Sequence, residues 1–207
     1  MRTPSVLLAV AALILPLAAQ SAVYQFNASL NSANEVGTPS TATATGVATL
    51  FYDDQGTASL LDDSYDFSMA VFGLSGGAIA GTAASAFHIH GAASTTENGP
   101  VRVSLDAAPF VFLNSGSTLL VGGNGVAAPS IGATAPSGVN AGYPAMSFFD
   151  MLSGGLAYVN VHTAANPAGA VRGQLLQVAV VPEPSTYAML LGGLGLIGFV
   201  AARRRRH

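Results

Sequence analysis

The chain has 207 residues, half of them hydrophobic and only 8% charged, with no cysteine and no tryptophan. Every basic residue is an arginine, and Arg2, Arg203, Arg204, Arg205 and Arg206 lie at the two ends, so the central part sets only Arg102 and Arg172 against nine acids, a net charge of −7. That balance argues against nucleic acid and anionic lipid as partners. The lack of cysteine excludes disulfides, iron-sulfur clusters and thiol catalysis.

Residues 1–22 open with Arg2, run apolar from Val6 to Ala19 with one interruption at Pro16, and end in the small residues Ser21 and Ala22. This pattern predicts a secretory signal peptide, cut by signal peptidase after Ser21 or Ala22. From residue 23 the hydrophobic period is two. Tyr24, Phe26, Ala28 and Leu30 alternate with Gln25, Asn27 and Ser29, which predicts a half-buried strand over 23–30. Further strands are expected over 43–52, 64–74, 87–91, 101–105, 156–163 and 170–180. Asp53-Asp54-Gln55-Gly56 and Asn166-Pro167-Ala168-Gly169 are read as turns. Residues 114–143, rich in Gly, Ser, Ala and Pro, are expected to form a long, poorly packed excursion, a surface loop with short strands, and 146–152 one or two helical turns before Gly154-Gly155. Asp53, Asp54, Asp62, Asp63 and Asp66 fit no calcium-loop spacing and are expected to serve hairpin turns. The fold class is all-β, an antiparallel β-sandwich or Greek-key barrel over 23–178 with a helix at either end.

The end of the chain, 179–207, has three parts in order. Val181-Pro182-Glu183-Pro184-Ser185 leads into an apolar stretch over 187–202, and Arg203, Arg204, Arg205 and Arg206 follow. As a helix from 186 to 202 the stretch would span roughly 26 Å, near the lower limit for a bilayer crossing, with the arginines held inside. These three parts closely resemble the PEP-CTERM sorting signal of Gram-negative bacteria. The resemblance implies an exosortase-type protease as partner, a transient anchor in the inner membrane, and delivery to the cell surface or the exterior.

The central part carries a second resemblance. Asn34-Glu35-Val36, Gly46-Val47-Ala48-Thr49-Leu50, Phe87-His88-Ile89-His90-Gly91, Gly99-Pro100-Val101, Tyr158-Val159-Asn160-Val161-His162-Thr163 and Arg172-Gly173-Gln174-Leu175 occur in the order of the CHRD domain, a module named after chordin and found also in bacterial secreted proteins. The chain departs from that pattern at Gly37-Thr38-Pro39, at Ala170 and in the expanded 114–143 region.

All histidines but His207 lie in two of these strings. Strand parity puts His88 and His90 on one face, and Tyr158, Asn160 and His162 together on another strand. If the two strands meet, two readings stand open. In one, the imidazoles join Asn160, Arg172 and Gln174 in a buried polar network that fixes strand pairing. In the other, His88, His90 and His162 hold one copper or zinc ion. Phe87-His88-Ile89-His90 is similar to the copper-ligand strand of copper-zinc superoxide dismutases, but three imidazoles allow no second metal site. The network ranks ahead of the metal, and both rank ahead of catalysis, since no residues form a nucleophile or paired-acid setting. The expectation is therefore a non-enzymatic, exported surface or matrix module without a cofactor, with an extracellular polysaccharide or surface protein as partner class. The alternative is a copper- or zinc-binding protein with weak redox activity. A polysaccharide-binding module ranks last, for lack of tryptophan.

Overall fold

A computed structural model describes residues 21–75, 86–130, 146–181, 190–198 and 203. The signal peptide expected over 1–22 lies almost wholly outside these residues, as do Pro182 to Ser185 and Arg204 to Arg206.

The described strands are β1 (Val23–Asn31), β2 (Thr45–Asp53), β3 (Ser64–Phe72), β4 (Phe87–His90), β5 (Val101–Ser104), β6 (Val111–Ser115), β7 (Thr118–Ala127), β8 (Tyr158–Val161), β9 (Val171–Gln174) and β10 (Leu176–Val181). They form one antiparallel sheet in the order β5-β4-β8-β9-β1-β2-β3-β7-β6, with β10 also on β1. What the sequence offered as a sandwich or Greek-key barrel is thus a single sheet curled strongly into a half-barrel. The curl turns at β1, whose outer edge pairs with β10 over Val23–Asn27 and with β9 at Asn31.

Alternation explains which face turns inward. Phe26, Ala28 and Leu30 of β1 meet Ala48, Leu50 and Tyr52 of β2, Tyr65, Phe67, Met69 and Val71 of β3, and Phe87, Ile89, Val159 and Val161 of β4 and β8, all buried. Burying each large side chain contributes roughly 1.5–3 kcal/mol. The open mouth is filled by a short helix, α1 (Phe148–Ser153), capped by Ser147, whose hydroxyl accepts from the Asp150 N–H at 2.9 Å. Its Phe148 packs 5.3 Å from Tyr65 and 6.3 Å from Tyr52.

Two expectations are corrected. The short strands expected from 114 are the end of β6 and the ten-residue β7, but the stretch is not poorly packed: β7 pairs along β3 with Leu119, Val121 and Val126 buried; 131–145 lie outside the described residues. Gly122, Gly123 and Gly125 dilute the alternation there, yet Gly123 is demanded by packing, since a Cβ would stand 2.7 Å from the Phe110 ring. The strand expected over 170–180 is split at Leu175, which turns its buried side chain inward and donates its N–H to Ala157 O at 2.9 Å. Of the helix expected over 186–202, residues 190–198 are described and are helical. Among the described residues no helix is long and apolar enough to cross a membrane. Leu190, Leu191, Leu194, Leu196 and Ile197 on it are all exposed.

Three of the five aspartates over 53–66 serve the backbone and two accept from hydroxyls. Asp53, Asp54 and Asp66 accept from the N–H groups of Gln55, Gly56 and Gly125, and Asp62 accepts from the Thr57 hydroxyl. Asp63 is buried and accepts from the Tyr52 hydroxyl.

Candidate metal centre

The two histidine segments meet directly. Strands β4 and β8 are antiparallel neighbours, with Phe87, His88, Ile89 and His90 opposite Val161, Asn160, Val159 and Tyr158. Just past β8, the N–H of His162 donates to Ala86 O at 2.8 Å. Because Phe87 and Ile89 fill the core, His88, His90, Tyr158 and Asn160 lie on the opposite face. This second face is also covered: His88 is 3% exposed and Asn160 4%.

The cover comes from connections whose carbonyls hold the rings. His90 Nδ1 lies 2.8 Å from Gly99 O and His162 Nδ1 lies 2.9 Å from Pro167 O. A carbonyl only accepts, so both Nδ1 atoms carry hydrogen and both Nε2 atoms carry a lone pair. His88 has a backbone hydrogen bond to Asn160. The remaining ring nitrogens, His88 Nδ1, His90 Nε2 and His162 Nε2, are buried without any partner. The ligand-bearing atoms of the three residues lie within 4.8 Å of one another, and the ring centroids are 4.1 Å (His88–His90) and 4.8 Å (His88–His162) apart.

Burial keeps these rings neutral. It lowers the pKa of His88 from 6.5 to about 3, helped by the neighbouring His90 and His162. His90 falls to about 4, chiefly by burial and despite its bond to the Gly99 carbonyl. His162 is lowered by burial against the opposing Pro167 carbonyl. The result is three neutral nitrogen lone pairs facing one another with no donor.

Asn160, Arg172 and Gln174 share this face but do different work. Tyr158 stacks on His90 at 4.6 Å with planes 3° apart, and the Arg172 guanidinium lies 3.5 Å over the Tyr158 ring. Arg172, 1% exposed, donates to Asn98 Oδ1 (3.0 Å), Ser94 O (2.8 Å) and Gln174 Oε1 (3.4 Å). Gln174 donates to Ala93 O at 2.9 Å and Gly155 O at 2.7 Å. These two side chains tie down the 93–98 connection that roofs the site. Asn160 Nδ2 donates to Glu35 at 3.1 Å, while Asn160 Oδ1 is buried and unpartnered.

Glu35 is the member that strand reasoning missed, because it reaches Asn160 from the far end of the chain. Its carboxylate lies where a Cβ on Gly169 would stand, 2.3 Å away, and Gly169 has φ +145°; the turn glycine makes room for the acid. Burial raises the Glu35 pKa from 4.5 to about 7, against the lowering effects of Asn160 and Arg172. Glu35, Arg172 and Gln174 also line a groove of about 690 Å³ outside β1 and β2, which the histidines do not line.

A family model described as the CHRD domain matches residues 26–175, which takes in every strand that builds this site. The chain belongs to the CHRD domain family. The matched span of this CHRD protein ends at Leu175, where the last strand breaks. A second model, the PEP-CTERM protein-sorting motif, matches residues 180–206. The two together point to an exported protein of the surface or exterior, processed by an exosortase. No curated protein and no solved structure matches the chain.

Proposed function

We propose that this is an exported surface module whose CHRD domain binds one copper or zinc ion through His88, His90 and His162. The observation that carries the reading is the convergence of three buried, unpartnered ring nitrogens. An unsatisfied buried polar atom costs about 1–3 kcal/mol, and three together are a cost that a cation would offset. The carbonyl bonds at Gly99 and Pro167 have the form of those that orient metal-bound imidazoles. Ligand nitrogens about 2.0–2.1 Å from zinc stand roughly 3.3 Å apart in a tetrahedron, so modest side-chain rotation closes the widest pair. Imidazole suits zinc and copper alike.

The role is binding rather than turnover, for the site holds no nucleophile and no paired acids. The sorting motif over 180–206 would mark the chain for an exosortase, with the cut near Pro182 to Pro184.

The test is metal content of the purified full chain beside a His88→Ala, His162→Ala double variant, both checked for folding by circular dichroism. About one copper or zinc per parent chain, absent from the variant, is the expected result. A parent that stays metal-free after incubation with either ion overturns the reading.

A further inference from the structure

The three imidazoles are not the whole set of unsatisfied acceptors on this face. Asn160 Oδ1 is also buried with no partner, on a residue directly opposite His88 in the β4–β8 ladder and two before His162, which lies just past the end of β8. Side chains at such opposed positions have Cβ atoms about 4.5–5.5 Å apart. The orientation of the amide is set from its other end, since Nδ2 donates to the Glu35 carboxylate at 3.1 Å. That leaves Oδ1 aimed away from Glu35.

We propose that Asn160 Oδ1 is the fourth donor of the centre, giving a closed site of three imidazoles and one amide oxygen for a divalent transition ion. The proposal rests on the metal reading above and extends it. One ligand atom from each of the three histidines lies within 4.8 Å of the others, the fourth acceptor belongs to the residue opposite His88, and among the described residues His88 Nδ1, His90 Nε2, His162 Nε2 and Asn160 Oδ1 have no hydrogen-bond partner. A water has two hydrogens to give, so one water would leave at least two of the four unmet. A cation meets all four at once. An amide oxygen is a neutral donor, as are the imidazoles, so the ion keeps its full charge within a domain that is strongly acidic. A fourth protein donor also fits the absence of acid–base machinery, because structural sites are closed and catalytic ones keep an open position. Glu35 and Gly169 then become positioning residues: the carboxylate holds the amide, and the glycine admits the carboxylate.

Cobalt(II) serves as the probe, titrated into the full chain and followed by visible absorption. The parent is expected to give the intense bands of a four-coordinate ion. Asn160→Ala is expected to weaken cobalt binding by about 10-fold or more and to shift the bands as solvent takes the fourth position. Asn160→Asp separates a ligand from a merely structural amide. Made together with Glu35→Gln, so that no second carboxylate faces position 160, the aspartate tightens binding if this residue is a ligand and leaves it unchanged if the amide is only structural. A second measurement needs no variant: in ¹⁵N-labelled, cobalt-loaded parent, the Asn160 side-chain amide should move far outside its diamagnetic position. An unmoved amide, or equal affinity and an unchanged spectrum in Asn160→Ala, overturns the fourth-donor assignment and leaves the three-histidine site standing. A parent that binds no cobalt overturns both.

Discussion

The long strands and the short strands of this sheet bury different things. Along β1, β2, β3 and β7 one face packs into the core while the other meets water, so Phe26, Leu50 and Val71 are buried and Val47, Phe51 and Phe72 exposed. The four-residue strands β4, β8 and β9 are covered on both faces, by the core on one and by the 91–100 and 163–169 connections on the other. Polar groups on the long half keep their solvent. Those on the short half lose it, which is why imidazole, amide and guanidinium there must find partners or a ligand.

The largest effect that would break this contrast is removal of the clamp holding the roof on the short half. Arg172→Ala should cost about 2–4 kcal/mol by urea denaturation, from a desolvated cation–π contact of about 2 kcal/mol and lost hydrogen bonds of about 0.5–1.5 kcal/mol each. Arg172→Lys should recover little, because one ammonium cannot reach Ser94, Asn98 and Gln174 together. Full recovery by lysine would show that charge alone holds the roof.

The contrast is sharpened by acid titration of the metal-free protein. His88 and His90, at about 3 and 4 in the fold against 6.5 when unfolded, bind fewer protons folded, so stability is lost as pH falls from about 6.5 to 4. Each histidine contributes a slope of at most about 1.4 kcal/mol per pH unit. Glu35, raised to about 7, works the other way: its contribution is present below pH 4.5 and lost as pH rises through 7. Denaturant midpoints from pH 4 to 8 should therefore show a steeper acid loss in Glu35→Gln than in the parent, where the two trends oppose one another. Identical profiles would mean that Glu35 is solvated. The smallest effect belongs to the long half: Val47→Thr, at a side chain 61% exposed, should change stability by no more than about 0.5 kcal/mol.

How much of this could be read beforehand follows the same division. Period two in 23–30 and 64–71 announced the long half, because one wet face writes alternation into a strand. His88 and His90 on one face followed from the same parity, and the pairing of β4 with β8 needed only that the two segments meet. Glu35 could not be found this way. Its contact with Asn160 spans 125 positions and depends on a glycine turn at 169, a coincidence of three separate connections. Parity puts Tyr158 on the face of Asn160 and His162, but the stack of His90, Tyr158 and Arg172 could not be read, since it depends on the register that sets His90 opposite Tyr158. The β6–β7 hairpin was hidden by its own glycines, and the break at Leu175 by the absence of any Pro or turn residue between Gln174 and Gln177 to mark it.

The pairing of Val23 with Val181 places the entrance and the exit of the domain side by side. A pull on the tail at Val181, with the domain held by its body, loads the β1–β10 ladder from its end, one pair at a time, as a zipper is opened rather than as a rope is stretched. The strand most exposed to traction is therefore the one next to the sorting motif. Severing the tail removes the lever arm, and the sheet keeps all of its strands once nothing draws on that corner.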